Sequence, residues 1–162
     1  MKSYPLARLL ALREHRVETA KAEVGRRRRL LAEAAAMAEE ADRVAKEFAQ
    51  RRPSEEAALF EKIRNQVLER KRLDRYHEEI AALAARELEL FDLAEKEWAK
   101  VRAAEEALAQ AVLAHKEAVR DVSKFEEHRA IWWEGEKKRR EEVQELEAEE
   151  TASIAAQRRD NQ

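Results

Sequence analysis

Four histidines are the side chains in this sequence best suited to acid–base or metal chemistry. They are His15, His77, His115 and His128, and none has a second histidine at the short spacing that a metal site needs. The chain contains no cysteine, which excludes a disulfide framework and a thiolate metal site. It also lacks a glycine-rich phosphate loop and a nucleophile elbow. The sequence therefore predicts a protein that is not an enzyme and that holds no metal and no cofactor.

The run Arg26–Arg29 is the strongest charge feature of the chain. Consecutive residues on a helix point about 100° apart, so these side chains cannot all pair inside one hairpin. One interpretation is a solvated face whose aliphatic stems cover apolar surface. The other is a site for an acidic protein partner or a phosphate backbone. No aromatic residue lies within the run, which disfavours nucleic acid, and the sequence leaves the solvated face and the protein partner about equal.

Trp132 and Trp133 are adjacent, so on a helix only one of them can face a packed neighbour. If Trp132 faces the partner helix, Trp133 points elsewhere. An exposed tryptophan suggests a binding surface, because tryptophan is enriched at interface hot spots. The alternative is a broader apolar cap over the start of the first helix, and both interpretations stay open.

Long helices must position these residues. Glycine and proline number two each in 162 residues, and 42% of the residues are charged. Together with abundant Ala, Leu and Glu, this composition is typical of coiled coils. The net charge of −2 does not demand a nucleic-acid partner. No uncharged run approaches the ~20 residues that cross a bilayer. We expect a cytoplasmic protein without direct membrane insertion.

Two rows of mostly apolar residues, at alternating steps of four and three, predict the packed faces of the helices. The first row runs from Leu6 to Phe48 and is interrupted only by Arg13 and Arg27. A spacing of about 3.5 residues held this long indicates a coiled-coil seam. The second row consists of the following residues: Leu73, Tyr76, Ile80, Leu83, Glu87, Leu90, Ala94, Glu97, Val101, Ala104, Leu108, Ala111, His115, Ala118, Val122, Phe125, Arg129 and Trp132.

The segment between the rows predicts a bend and a reversal. Pro53 disfavours helix at the residue before it, and Ser54 can cap a new helix. Asn65 and Gln66 mark the turn. The fold class is all-α, a long antiparallel two-helix coiled-coil hairpin with a short helix near the turn, forming one elongated unit over 1–162. The predicted bounds are about 4–51 for helix one, about 55–66 for the short helix, about 70–157 for helix two, and beyond about 134 for an overhanging tail.

Charge favours the same pairing of helices. Residues 1–31 are rich in Lys and Arg, whereas residues 134–150 are rich in Glu. An antiparallel hairpin brings these segments together with opposite sign, whereas a parallel dimer aligns like charges. The preference is small, because exposed ion pairs contribute only ~0–1 kcal/mol each. We expect a monomer.

Three stretches in this order give the chain a family resemblance. They are Leu6–Glu14, which precedes the arginine-rich stretch, Glu55–Phe60 before the turn, and Leu73–Leu83 after it. With these stretches, its length and its turn position, the chain resembles the YscO/FliJ stalk proteins of type III secretion and flagellar export. The likeness covers nearly the whole chain and is greater to the YscO branch.

The resemblance implies a stalk whose terminal end enters a hexameric export ATPase and whose turn faces the export gate in the inner membrane. Some members of the family also bind chaperones of translocator proteins. Trp133 is added to the ATPase set as an exposed aromatic residue near the termini. The residues expected to contact the ATPase are Arg13, Arg16, Arg26, Arg27, Arg28, Arg29 and Trp133. The residues expected to contact the gate are Phe60, Leu73, Tyr76, Ile80 and Leu83.

Two other classes of function fit a charged helical hairpin. One is a helical arm that binds nucleic acid, with Arg26–Arg29 on the phosphates. The other is a dimeric coiled-coil scaffold. RNA binding with a steep salt dependence would favour the first, and sedimentation as a dimer would favour the second.

Overall fold

The computed structural model describes residues 3–160, which form two long helices and no strand. Helix α1 spans Ala7–Ile63 and helix α2 spans Arg70–Asp160. The two helices pack against each other as a helical hairpin, which confirms the predicted fold class. By its internal contacts the chain divides into two units. The terminal unit comprises the residues up to Ala22 and from Leu113 onward, and the turn unit comprises Glu23–Val112.

The helices run antiparallel in each unit. In the terminal unit, Tyr4 contacts His128. Arg13, nine residues after Tyr4, contacts Asp121, which is seven residues before His128. In the turn unit, Arg52 near the end of α1 contacts Glu87 near the start of α2. Such pairings form only when the second helix returns along the first.

The two predicted rows are the faces that become buried. Every member of the first row from Leu6 to Phe48 is buried or half-buried, and in the second row only Leu73 is exposed. Ala38 and Ala45 have no exposed surface, which alanine allows because its small side chain lets two helices approach closely. Heptad spacing therefore predicts both seams.

The predicted break at Pro53 is absent, because α1 continues through this residue to Ile63. The separate short helix is therefore a correction to the sequence prediction. The first row keeps its phase across the proline through polar residues, since Arg52 and Glu55 are half-buried. Arg52 donates to Glu56 at 2.6 Å and to Glu87 at 3.0 Å. These bonds hold the helix where the proline removes one main-chain hydrogen bond.

The reversal lies over residues 64–69 and includes the predicted turn residues Asn65 and Gln66. Asn65 adopts a left-handed conformation with φ of 59°. Asparagine tolerates this conformation better than most residues, so it can end a helix as glycine often does. The Arg64 amide donates to the Phe60 carbonyl at 3.0 Å, which closes the last turn of α1.

The last part of α2 has a different environment from the rest of the helix. Every residue over 137–159 is exposed. The sequence predicts an overhanging tail beyond about 134, and the exposed segment begins at Lys137, directly after the buried Glu136. Within residues 3–160, neither helix contains a stretch apolar and long enough to cross a bilayer.

Candidate functional site

An aromatic cluster closes the terminal unit. Tyr4 is 5% exposed. Its hydroxyl forms a hydrogen bond with Nδ1 of His128 at 2.8 Å, which links the residues before α1 to helix α2. The Tyr4 ring meets Trp132 edge-on with centroids 5.7 Å apart. Trp132 in turn meets Trp133 edge-on at 4.7 Å. Edge-to-face pairs at these distances are attractive beyond the area they bury.

The two tryptophans differ in exposure. Trp132 is half-buried on the seam, whereas Trp133 is 38% exposed. Trp133 lines a surface groove of the terminal unit together with Tyr4, Leu10 and Arg129. The groove combines an exposed aromatic side chain with one cation and one carboxylate, Glu14. An exposed tryptophan is typical of a protein-binding surface.

Arg13 is used inside the terminal unit. Its guanidinium donates to Asp121 at 3.1 Å and lies 5.8 Å from the centre of the Phe125 ring. Its Nε is buried without a hydrogen-bond partner among the described residues. Arg16, one turn along, is exposed. Of these two residues assigned to the ATPase, Arg16 is therefore the one that presents its charge to solvent.

The run Arg26–Arg29 lies in the turn unit, whereas Arg13, Arg16 and Trp133 lie in the terminal unit. Arg26 and Arg27 both donate to Glu23, at 2.8 Å and 2.7 Å. Hydrogen bonds from Arg26 and then from Arg27 lower the pKa of Glu23 from 4.5 to about 2. Arg28 and Arg29 are exposed, so half of the run is partly neutralised within α1 and half faces solvent.

The five residues assigned to the gate also differ in their exposure to solvent. Phe60 is 51% exposed and Leu73 is 40% exposed, whereas Tyr76, Ile80 and Leu83 are half-buried on the seam. Phe60 and Leu73 are therefore the most accessible of the five, and Tyr76, Ile80 and Leu83 expose only part of their side chains.

Val67 is a further candidate for a binding surface, in addition to the residues singled out from the sequence. In the structure it lies in the turn and is fully exposed, with a relative exposure of 102%. A large apolar side chain at the tip of a turn has no packing role within the described chain. The sequence indicates this position in the turn, because Val67 directly follows the predicted turn residues Asn65 and Gln66.

Other chemistry has little support from the geometry. Among residues 3–160, no group of three or more His, Asp or Glu side chains is placed to hold a metal ion. The surfaces with distinctive composition are the Trp133 groove, the exposed arginines and the exposed apolar side chains around the turn. All three are suited to binding proteins.

The chain is similar in sequence to a protein family and in fold to a solved structure. Residues 6–154 match the family described as type III secretion protein YscO. A solved structure described as that of a YscO homolog, CT670, from Chlamydia trachomatis superposes with a TM-score of 0.84 at 19% sequence identity. The superposition covers 100% of this chain and 99% of that chain, so the fold is shared throughout. No curated protein matches the chain.

Proposed function

The chain belongs to the YscO family of type III secretion proteins, and on that premise we propose that it is a non-enzymatic central stalk of the secretion apparatus. Its terminal unit inserts into the hexameric export ATPase, and its turn contacts the export gate at the inner membrane. The protein is then cytoplasmic and peripheral to that membrane, and it acts as a monomer.

One observation carries this proposal: the two partner surfaces differ in chemistry. The terminal unit exposes Trp133 beside Arg129. The region around the turn exposes three apolar side chains, Phe60, Val67 and Leu73, among exposed cations that include Arg64 and Arg70. A protein that couples two different partners needs two surfaces of different specificity.

The proposed ATPase surface of the terminal unit centres on Trp133 and Arg16, and Arg28 and Arg29 are separate candidate contacts that belong to the turn unit. Arg13 has an internal role in this proposal, because Asp121 and Phe125 occupy its guanidinium. The proposed gate surface centres on the exposed apolar residues of the turn. Chaperones of translocator proteins are a further proposed partner, and no contact of the described residues selects a site for them.

Nucleic acid is a weaker candidate partner. Phosphate binding draws its affinity from several free cations, and Glu23 already binds Arg26 and Arg27. The remaining exposed arginines of the run, Arg28 and Arg29, have no aromatic neighbour in sequence on which a base could stack.

The test is the ATPase activity and assembly of the export ATPase encoded with this protein. We expect the purified chain to hydrolyse no ATP itself and to increase hexamer formation or the rate of hydrolysis when it is added. Unchanged assembly and unchanged hydrolysis over a titration to excess would contradict the proposal. RNA binding with a steep salt slope, or sedimentation as a dimer, would instead support one of the two alternative classes.

A further inference from the structure

An apolar groove runs along the turn unit, away from the surfaces assigned above. Its α1 wall contains Met37, Ala41 and Val44, and its α2 wall contains Leu90 and Leu93. Met37 is 59% exposed and Leu93 is 49% exposed. Single exposed apolar residues are ordinary on a protein surface, but here they line one continuous depression.

The alanine seam explains why the groove exists. Ala38 and Ala45 are fully buried, so the two helices are close together at this level. Small seam residues fill little volume, and the longer apolar side chains flanking them remain partly uncovered. A third helix is the element that best covers a strip between two packed helices, because its own side chains fit between theirs.

The polar groups of this groove are carboxylates. Glu40 and Glu97 line it, and no cation does among the described residues. Glu40 already accepts a hydrogen bond at 2.9 Å from Nε of Arg43, which lies outside the lining. Glu97 is 8% exposed, and its Oε1 accepts a hydrogen bond from Lys100 at 2.8 Å. Its Oε2 is shielded from solvent and has no donor within the described residues. A buried carboxylate oxygen without a donor is unfavourable, so the site lacks one hydrogen-bond donor.

A cation from a partner would supply that donor. The terminal torsion of a glutamate is broad, so the carboxylate can turn toward the groove that it lines. Arginine suits this position better than lysine, because its planar guanidinium is less strongly hydrated and can donate two parallel hydrogen bonds to one carboxylate.

A second copy of the chain is a poor occupant. In a two-fold symmetric pairing the same patch lies on both sides, so residues of the patch meet residues of the patch. Because no cation among the described residues lines the groove, a second copy would bring no donor to Oε2 of Glu97 and would leave that oxygen buried and unpaired.

We propose that this groove is the docking site for an amphipathic helix of another protein, which packs its apolar face on Met37 and Leu93 and places an arginine at the carboxylate of Glu97. The partner is defined by this chemistry: a helix with an apolar stripe and one arginine at its edge. The site is distinct from the surfaces proposed for the ATPase and the gate.

The experiment uses the full-length protein and two synthetic helical peptides labelled with a fluorophore. Both peptides carry leucine at the apolar heptad positions, and they differ in one edge residue, which is arginine in one and glutamine in the other. Fluorescence anisotropy measures their affinities. We expect the arginine peptide to bind at least roughly tenfold more tightly, because only arginine supplies the cation.

Three variants locate the binding. Leu93→Arg places a charge in the groove at an exposed position and should weaken the binding of both peptides by roughly tenfold or more. Leu113→Arg is the matched control, since Leu113 is 59% exposed and lies in the terminal unit, and it should leave both affinities unchanged. Glu97→Gln should remove the difference between the peptides. Circular dichroism confirms that each variant keeps its helices.

Several results would overturn the proposal. Equal affinity of the two peptides for the unmodified protein excludes a role for the carboxylate of Glu97. Binding that survives Leu93→Arg places the peptides elsewhere. Sedimentation that reveals a dimer of the unmodified chain, dissociated by Leu93→Arg, assigns the groove to a second copy.

Discussion

The terminal unit and the turn unit pack two helices in the same antiparallel way, but they use different side chains to do so. In the terminal unit, Tyr4, His128 and Trp132 join the helices through a hydrogen bond and edge-on aromatic contacts. In the turn unit, Ala38 and Ala45 form the most completely buried part of the seam.

The difference matters because these side chains contribute different kinds of stability. Large aromatic residues bury much area and fix the register through directional contacts. Alanine buries little area, at roughly 25 cal/mol per Å² of apolar surface, and it leaves neighbouring apolar residues uncovered. The terminal unit therefore fixes its register through directional aromatic contacts, whereas the turn unit brings its helices close together through alanine.

The largest expected effect comes from removing an aromatic residue of the terminal unit. Trp132→Ala should lower the free energy of unfolding by about 3 kcal/mol, because it removes the contacts with Tyr4 and Trp133 and leaves a cavity. Trp98→Ala is the matched control in the turn unit, where Trp98 is also half-buried. It should cost about 1–2 kcal/mol, since no aromatic pair is lost. Urea denaturation measures both free energies of unfolding. An equal or larger loss of stability for Trp98→Ala would contradict the difference between the two units.

The next effect should be an increase in stability within the turn unit. Pro53→Ala should raise the free energy of unfolding by about 2 kcal/mol, because it restores a main-chain hydrogen bond inside α1. Pro5→Ala is the control, since Pro5 precedes the helix, and it should change stability by less than about 0.5 kcal/mol. If Pro53→Ala had no effect or were destabilising, the proline would have a packing role that its exposed position does not suggest.

A smaller effect isolates one hydrogen bond of the terminal unit. Tyr4→Phe keeps the ring but removes the hydroxyl that bonds His128, so it should cost about 1 kcal/mol. Tyr76→Phe in the turn unit should be neutral within about 0.5 kcal/mol, because Tyr76 lies half-buried without such a partner among the described residues. Equal losses of stability for the two variants, in thermal or urea denaturation, would show that the hydrogen bond between Tyr4 and His128 does not stabilise the terminal unit.

The smallest effect concerns pH in the turn unit. The pKa of Glu23 is lowered from 4.5 to about 2 by Arg26 and Arg27, so its contribution to stability is complete above pH 4.5 and is lost as the pH falls through about 2. Glu23→Gln should therefore make stability less dependent on pH across that window. Glu33→Gln, at an exposed position, should not. Urea denaturation above pH 4.5 and near pH 2 measures the difference, and identical pH profiles for the two variants would contradict it.

Periodicity predicts the fold because burial in a two-helix seam repeats with the heptad. The rows from Leu6 and from Leu73 predict which residues become buried, and Asn65 predicts where α1 ends. The break expected at Pro53 fails for an energetic reason. Propensity disfavours proline within a helix, but the cross-helix bond from Arg52 to Glu87 supports the helix at that point.

The binding surfaces are less predictable, because charge and aromatic type do not reveal a residue's neighbours. The sequence places Arg13 in the first row and among the expected ATPase contacts, but it does not identify Asp121, more than a hundred residues away, as its partner. Tyr4 precedes the first predicted seam position and turns out to be one of the most buried residues. The missing donor at Glu97 depends on atomic positions that no spacing rule encodes.

The claim that the two surfaces serve two different partners is tested most directly by one paired binding measurement. Trp133→Ala, in the terminal unit, and Val67→Asp, in the turn, are each compared with the unmodified protein for binding to the export ATPase and to the cytoplasmic domain of the export gate. Both residues are exposed, so neither change should unfold the helices. We predict that Trp133→Ala weakens ATPase binding roughly tenfold and leaves gate binding unchanged, while Val67→Asp does the reverse. If either variant weakened both interactions equally, or neither, the assignment of separate partners to the two surfaces would be wrong.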